Sequence, residues 1–193
     1  MKKYRRVHAD IDLDAVLFNF EQMSQNVPEG TKIVAVVKTD AYGHGAVPIA
    51  TFLEQCEYLW GFATATIDEA IELREAGIKK PVLILGYTFP ECYDKVVQYD
   101  IRQTIFQLDM AKALSEEAKR QNKKAYVHVK LDTGMGRIGY QDVEEAVRDV
   151  TLMKDLPMLE FEGVFTHFAN ADTENQEFTL KQIAKFHEML SDM

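Results

Sequence analysis

The sequence predicts an α/β fold, a (β/α)8 TIM-type barrel truncated to about six βα units. Short β-branched or apolar runs alternate with longer segments of helical periodicity, and the runs recur roughly every 20 to 35 residues, as βα units require. Reactive side chains follow the C-terminal ends of several different strands, which a barrel collects around one mouth and an open doubly wound sheet would spread apart. The chain has 193 residues, whereas a complete barrel takes about 250, so the barrel is expected to be incomplete.

The first predicted element is a helix that begins after the N-cap Asp12 and ends before residues 28–30. One of its faces is apolar: Val16, Leu17, Phe20 and Met23. Strands are predicted at residues 33–38, 58–63, 81–86, 101–106, 125–131 and 159–165. Later helices are marked by a capping box at residues 66–69 and by periodic apolar faces over residues 109–120 and 142–153. In an incomplete barrel, the first and last strands would present unpaired backbone groups.

Composition limits the possible partners of the chain. It holds 31 acidic and 22 basic side chains, and the net charge of −9 argues against a basic face for nucleic acid or an anionic membrane. No apolar run approaches the ~20 residues of a membrane-spanning helix. Residues 1–6 resemble the basic start of a signal peptide, but aspartates follow where its apolar segment should be. Cys56 and Cys92 are too few for a disulfide framework, so we expect a cytoplasmic protein.

Lys38 is the first candidate for a reactive group. It ends a predicted buried strand, in which the period of two places it on the same face as Val34 and Val36. Apolar neighbours disfavour the ammonium form and leave a nucleophilic amine that suits Schiff-base chemistry. The alternative is a lysine that only extends from the end of the strand into solvent.

Several segments of the sequence resemble the alanine racemases, a family of pyridoxal-phosphate enzymes of the barrel type. The segment VVKTDAYGHG at residues 36–45 is similar to the family's cofactor-lysine motif, from which it departs at Thr39 and Asp40, where small or amide residues are usual. The resemblance continues through GFATA (61–65), LDTGMGRIG (131–139) and GVFTHF (163–168), and spans nearly the whole chain. It implies that residues 1–193 are an incomplete N-terminal barrel domain that binds pyridoxal 5'-phosphate, with the C-terminal β domain absent.

The resemblance also implies roles for individual residues. Lys38 would bind the cofactor covalently and act as one of two catalytic bases, and Tyr42 would contact the cofactor phosphate. Arg137 would contact the cofactor phenolate and the substrate carboxylate. His167 would belong to the catalytic and cofactor-binding network beside the pyridine ring. Lys130, which is carbamylated in many members of the family, would become an anion that orients Arg137.

Each of these residues also has a purely structural interpretation. Arg137 lies in a glycine-flanked loop after a strand, where its planar fork could bind a carboxylate with two hydrogen bonds, but most arginines are surface residues. Lys130 and Asp132 could form an ordinary ion pair, and His167 could be a core histidine. The other four histidines show no metal-ligand spacing, so no metal site is predicted.

The segment Gly134-Met-Gly-Arg-Ile-Gly139 matches the dinucleotide-binding pattern GxGxxG. It follows the fifth predicted strand, however, instead of the first, and 54 residues (193 − 139) come after it. That length is too short for a complete βαβαβ half. We therefore expect no dinucleotide-dependent dehydrogenase.

The resemblance implies an isomerase that interconverts L-alanine and D-alanine, supplies D-alanine for the cell wall and forms a homodimer. Racemisation needs a base on each face of the planar intermediate, and Lys38 can supply only one. In the family the opposite base is a tyrosine from the C-terminal domain of the partner subunit. Two alternatives remain open: a cofactor-binding fragment that cannot racemise, and the racemase module of a serine/alanine racemase, since both substrates present the same ammonium and carboxylate groups.

Overall fold

The computed structural model describes residues 7–193, so the basic segment at residues 1–6 lies outside the described part of the chain. One parallel sheet is formed by β1 (Ile33–Val36), β2 (Leu59–Thr64), β3 (Val82–Ile84), β4 (Arg102–Ile105), β5 (Ala125–Lys130) and β6 (Leu159–Phe165), in that order. The helices are α1 (Leu13–Gln25), α2 (Lys38–Gly43), α3 (Ala46–Leu53), α4 (Ile67–Glu75), α5 (Tyr93–Gln98), α6 (Leu108–Gln121), α7 (Val143–Lys154) and α8 (Glu177–Ser191). The predicted succession of βα units is confirmed.

Local sequence signals place the starts of several helices. Helix α1 begins after Asp12, whose carboxylate accepts a hydrogen bond from the Ala15 N–H at 3.0 Å. Helix α4 begins with the predicted capping box, in which Thr66 and Glu69 each accept a hydrogen bond from the backbone of the other. Asp142 caps α7 in the same manner as Asp12 caps α1. The predicted starts are confirmed. They could be predicted because each cap depends on residues no more than three positions apart.

The sheet is curled rather than open. Neighbouring strands lie about 4.8 Å apart, so β2 and β5 would be separated by roughly 14 Å in a flat sheet. Instead, the rings of Trp60 on β2 and His128 on β5 lie 5.4 Å apart between centroids. Arg102 on β4 likewise reaches over β5 to bind Glu162 on β6 with two hydrogen bonds of 2.9 and 3.0 Å. These contacts over intervening strands are those of a barrel wall, and they confirm the predicted fold class.

The two faces of the sheet differ in their cover. Helices cover the convex face, where strand side chains are at most 2% exposed: Ala35, Phe62, Val82, Ile84, Ile105, Val127 and Val129. On the concave face the edge strand β1 is open, with Val34 and Val36 38% and 42% exposed, whereas Ala63, Leu83 and Thr104 on the inner strands are at most 4% exposed. Strand β1 ends at Val36, so the expectation that Lys38 belongs to the strand and lies among buried apolar neighbours was wrong.

Strands β1 and β6 form the two edges of the sheet. Every residue of β6 keeps part of its surface accessible, whereas alternate residues of β5 are buried. Among the described residues, no helix combines the length and the apolar content needed to cross a membrane.

Candidate active site

Four cationic or titratable side chains meet at one edge of the sheet. Lys38 follows β1, Lys130 ends β5, Arg137 lies in the loop after β5, and His167 follows β6. Because the strands are parallel, their C-terminal ends share this edge. Burial lowers the pKa of His167. The positive charges of Arg137, Lys130 and Lys38 lower it further, which places all of these groups within electrostatic range of the imidazole.

Lys38 opens a turn of left-handed helix, which we call the lysine turn (residues 38–43). Its four central residues have φ between 50° and 56°: Thr39, Asp40, Ala41 and Tyr42. None of these is glycine, and left-handed helical conformations cost L-residues roughly 1–2 kcal/mol each. Strained backbone of this kind concentrates at functional sites. The turn brings the Tyr42 ring to 5.8 Å from the Lys38 Nζ atom and leaves that tyrosine 62% exposed at the mouth.

Hydrogen bonds stabilise the lysine turn from within and from outside. The Ala41 N–H donates to the Val37 carbonyl at 2.9 Å. The carboxylate of Asp40 accepts from the Ala46 N–H at 2.7 Å, and so supplies an acceptor for the first turn of α3. The Thr39 N–H donates to the Glu69 carboxylate at 2.8 Å, although these residues are 30 positions apart. The sequence identified Glu69 only as a capping residue of α4, because nothing local reveals this second contact.

The arginine loop (residues 132–139) follows β5 and presents the exposed guanidinium of Arg137. Tyr140 closes the loop: its N–H donates to the Lys130 carbonyl at 3.0 Å, and its carbonyl accepts from the Asp132 N–H at 2.8 Å. Gly139 lies against this closure, where a Cβ atom would be 2.7 Å from the Asp132 nitrogen. Helix α7 begins only after the closure, so the GxGxxG pattern does not lead directly into a helix as a dinucleotide site requires.

Asp132 is the internal acceptor of the arginine loop. Its buried carboxylate accepts hydrogen bonds from the N–H groups of Gly134 and Gly136 at 3.0 Å and from the Gln141 side chain at 3.1 Å. Burial by itself would raise the pKa of Asp132, but these donors and the charge of Lys130 lower it overall. The carboxylate that could have been a simple partner for Lys130 thus organises the loop that carries the arginine.

Lys130 is 3% exposed, and burial lowers its pKa to about 8, with the charge of Asp132 opposing the shift and that of Arg137 adding to it. Its Nζ atom donates to the Leu131 carbonyl at 2.7 Å and lies 5.4 Å from the centroid of the Phe165 ring. A buried amine with this pKa carries an appreciable neutral fraction at neutral pH. Lys130 is therefore chemically unlike a surface lysine.

Gln182 on α8 holds the segment that contains His167. Its side-chain oxygen accepts from the Ala169 N–H at 3.0 Å, and its side-chain nitrogen donates to the His167 carbonyl at 3.1 Å and to the Thr133 hydroxyl at 3.3 Å. Thr133 in turn contacts the Thr166 hydroxyl at 2.8 Å. The sequence patterns did not identify Gln182 as a residue of the site. Its position on the same helical face as Met189, which is buried, is the sequence feature that could have indicated a buried polar side chain.

The curled parallel sheet, with an amine, a guanidinium and an imidazole gathered at the C-terminal ends of its strands, defines the barrel domain of an enzyme. The family described as alanine racemase, N-terminal domain, matches residues 11–193. The chain therefore belongs to the alanine racemase family.

The individual relatives are named as racemases. Alanine racemase 1 of Caldanaerobacter subterraneus subsp. tengcongensis is 42% identical over 189 residues, which are 98% of this chain and 48% of the relative. The solved alanine racemase of Clostridium difficile 630 has a TM-score of 0.89 at 42% identity, over 93% of this chain and 47% of that one. A histidine racemase from Leuconostoc mesenteroides has a TM-score of 0.83 at 28% identity, over 91% of this chain and 46% of that one. The chain spans about half the length of the curated relatives it matches.

Proposed function

We propose that residues 1–193 are the cofactor-binding barrel domain of a pyridoxal-phosphate-dependent alanine racemase. The observation that carries this proposal is the convergence of Lys38, Lys130, Arg137 and His167 on one mouth of a racemase-family barrel. The complete enzyme would act in the cytoplasm as a homodimer, interconvert L-alanine and D-alanine, and supply D-alanine for the cell wall.

The donor set suits pyridoxal 5'-phosphate. The cofactor carries an aldehyde, a phosphate and a phenolate, which call for an amine, hydrogen-bond donors and a cation. The mouth offers the amine of Lys38, the exposed hydroxyl of Tyr42 and the exposed guanidinium of Arg137. The cationic side chains of Lys38 and Arg137 lie together in a chain of net charge −9, which favours an anionic ligand at the mouth over the rest of the surface. When bound, the cofactor delocalises the electron pair that remains after an amino acid loses its α-proton.

The protein groups would divide the remaining work. Lys38 would hold the cofactor through its amine and move the α-proton on one face of the substrate, and Tyr42 would donate to the phosphate. Arg137 would bind the substrate carboxylate with two parallel hydrogen bonds, which its planar fork allows and an ammonium group does not. His167, whose pKa is lowered, would be neutral at pH 7 and could both donate and accept within the cofactor network.

Lys130 would carry a carbamate in the active enzyme. Its neutral amine can attack carbon dioxide, forming an N–C bond and releasing one proton to solvent. The product is an anion beside Arg137, whose charge already acts on Lys130. Such an anion would orient the guanidinium toward the substrate. Peptide mass measurement in bicarbonate buffer should detect the added carboxyl group, which acid should remove; an unmodified Lys130 under these conditions would contradict the assignment.

Racemisation also requires a base on the opposite face of the substrate. We propose that a tyrosine of the partner subunit supplies it from a C-terminal domain. An assay of the 193-residue chain with added cofactor tests this division of labour, because Lys38 alone should support cofactor binding without racemisation. Turnover by the pure chain would require a second base within it, and Tyr42 and His167 would be the first candidates.

The cofactor-binding test is an absorbance spectrum of the purified chain with pyridoxal 5'-phosphate. We expect a band near ~420 nm that borohydride removes, with the reduced adduct mapped to Lys38 by peptide mass. Lys38→Ala should abolish the band. Lys32→Ala is the matched control, since Lys32 lies at the opposite end of β1 and donates to the Glu57 carbonyl at 2.8 Å. A band that survives Lys38→Ala would remove Lys38 from the cofactor site.

Substrate preference is tested in the complete enzyme. Arg137→Lys should reduce kcat/KM by roughly 10- to 100-fold, the loss expected when one charge-assisted hydrogen bond is removed. Assays with alanine and serine side by side would separate an alanine racemase from a serine/alanine racemase. Kinetics of Arg137→Lys equal to those of the wild type would exclude Arg137 from substrate binding.

A further inference from the structure

The carboxylate of Glu69 connects two loops at the mouth of the barrel. Its Oε1 atom accepts from the Thr39 N–H at 2.8 Å, directly after Lys38. Its Oε2 atom accepts from the Ala65 N–H at 2.7 Å and from the Thr66 N–H at 3.3 Å, directly after β2. One side chain therefore joins the lysine turn to the loop that follows the neighbouring strand.

This contact differs in kind from the other hydrogen bonds of the lysine turn. The Ala41 N–H and the Asp40 carboxylate bond within a few residues of the turn, to Val37 and Ala46. These local bonds hold the shape of the turn, and the Val37 N–H, which donates to the Ala63 carbonyl at 2.8 Å, holds the backbone before Lys38 to β2. The Glu69 contact bridges 30 positions and anchors the turn to helix α4. It acts on the first of four residues that all adopt the sterically disfavoured left-handed conformation.

We infer that Glu69 is a positioning residue for the amine of Lys38. Its carboxylate holds the Thr39 N–H, keeps this first left-handed residue of the lysine turn in its conformation, and thereby fixes the backbone directly after Lys38. This inference rests on the proposed function, in which Lys38 is the attachment point of the cofactor. It adds a role for a residue that touches neither the cofactor nor the substrate.

Both carboxylate oxygens are needed for this role. The partners on the two sides are all N–H donors, so each side requires an acceptor. Glutamine has the same shape but only one acceptor oxygen, and its amide nitrogen would meet a donor. Glu69→Gln can therefore satisfy only one of the two loops. Its single oxygen should stay with Ala65 and Thr66, which present two donors, so the Thr39 N–H loses its acceptor while the volume and helix propensity of the side chain are preserved.

The test uses the 193-residue chain and two independent measurements. The first is amide hydrogen exchange of Thr39, which requires no cofactor. The second is the concentration of pyridoxal 5'-phosphate needed for half-maximal borohydride trapping on Lys38. In Glu69→Gln we expect Thr39 exchange to be roughly 10- to 100-fold faster and the trapping concentration to rise by about tenfold, the range for losing a hydrogen bond to a charged group. Glu72→Gln is the matched control, since Glu72 is exposed one turn later on α4, and it should change neither measurement.

A second control separates positioning from helix stability. Thr66→Ala removes the other half of the capping box and weakens the start of α4 while leaving the Glu69 carboxylate in place. If Thr66→Ala raises the trapping concentration as much as Glu69→Gln does, then Glu69 acts only through the helix and the inference is overturned. It is also overturned if Glu69→Gln leaves Thr39 exchange and Lys38 trapping unchanged.

The wild-type chain provides a test that does not depend on the folding of any variant. The Thr39 N–H should be protected from exchange although the residue is exposed, and exchange at the rate of an unprotected amide would overturn the inference. Failure of the proposed function would look different: the wild type would show no trapping on Lys38 at any cofactor concentration. In that case, the effect of Glu69→Gln on Thr39 exchange alone decides whether Glu69 holds the turn.

Discussion

The lysine turn and the arginine loop each place a cationic side chain at the same mouth, but they differ in which residues adopt positive φ. The lysine turn uses four residues with side chains in a left-handed conformation. The arginine loop instead has glycine at its positive-φ positions: Gly134 at 138°, Gly136 at 75° and Gly139 at 123°. In each region a carboxylate accepts backbone N–H groups, but Glu69 does so from another helix and Asp132 from within the loop. Both regions have further hydrogen bonds, but the carboxylate that accepts from the N–H group of the lysine turn belongs to helix α4, whereas the arginine loop contains its own carboxylate acceptor.

This difference indicates which substitutions each region should tolerate. The arginine loop requires glycine at residue 139, because a Cβ atom there would lie 2.7 Å from the backbone nitrogen of Asp132. The lysine turn tolerates side chains, but it depends on a distant contact with Glu69. Substitutions within the arginine loop should therefore affect stability most, whereas the lysine turn should accept a change of backbone preference with little loss.

The largest effect is expected for Gly139→Ala. The new methyl group would lie 2.7 Å from the Asp132 nitrogen and 2.8 Å from the Leu131 carbonyl carbon, at a φ of 123° that alanine rarely adopts. We expect a loss of about 3 to 5 kcal/mol in the free energy of unfolding, measured by urea denaturation. Gly136→Ala is the control, since its φ is 75° and no atom lies within 4 Å of its Cβ position, and it should cost about 1 kcal/mol. Equal losses in the two variants would mean that the loop closure by Tyr140 is not formed.

Lys130→Met should stabilise the chain at neutral pH. The folded-state pKa of Lys130 is about 8, below its ordinary value of 10.5, so folding at pH 7 requires a buried charge that the unfolded chain exposes to water. Between pH 8 and 10.5 the unfolded state binds more protons than the folded state, so the stability of the wild type rises with pH in this window. We expect methionine to add on the order of 2 kcal/mol at pH 7, with the difference shrinking toward pH 10.

Urea denaturation of the wild type and Lys130→Met, at intervals from pH 6.5 to 10, measures this difference. Carbon dioxide must be excluded, because a carbamate on Lys130 would change the charge. Bicarbonate should then stabilise the wild type and leave Lys130→Met unaffected. A difference between the two proteins that is independent of pH would contradict the burial of a titrating amine.

Asp132→Asn should weaken the arginine loop by about 1–2 kcal/mol at pH 7, because the amide has one acceptor oxygen for several N–H donors. The pKa of Asp132 is lowered in the folded state. Its contribution is therefore complete above the unfolded-state pKa of about 3.9 and is lost as the pH falls through the folded-state value. The difference between wild type and Asp132→Asn in unfolding free energy should shrink below about pH 4. A constant difference down to pH 3 would show that ionised Asp132 does not hold the loop.

The sequence allowed prediction of those features that depend on neighbouring residues. Strand and helix periodicities and the cap at Asp12 act over a few positions, so the succession of elements could be derived. The convergence of Lys38, Lys130 and His167 followed from the rule that parallel strands end at one edge.

The features that hold these residues in place could not be derived in the same way. The contact between Glu69 and Thr39 joins residues 30 positions apart, and Gln182 contacts Thr133 from 49 positions away. The left-handed turn after Val37 was also missed, since Thr39, Ala41 and Tyr42 have no preference for positive φ that would indicate it. Such contacts form only when the tertiary structure is complete.

The smallest effect is expected for Thr39→Gly, which tests the lysine turn directly. Thr39 has φ 52° and ψ 49°, a conformation that glycine adopts without steric cost. Glycine removes the steric cost of the left-handed conformation from the folded state, but it raises the entropic cost of folding because it is more flexible in the unfolded chain. We expect the first effect to be slightly larger, so the free energy of unfolding should rise by about 0.5 kcal/mol. The hydroxyl contact of Thr39 to the Lys38 carbonyl is solvent-exposed and contributes little. Thermal and urea denaturation measure the change, and a loss of more than about 1 kcal/mol would indicate that the turn is not left-handed at this residue.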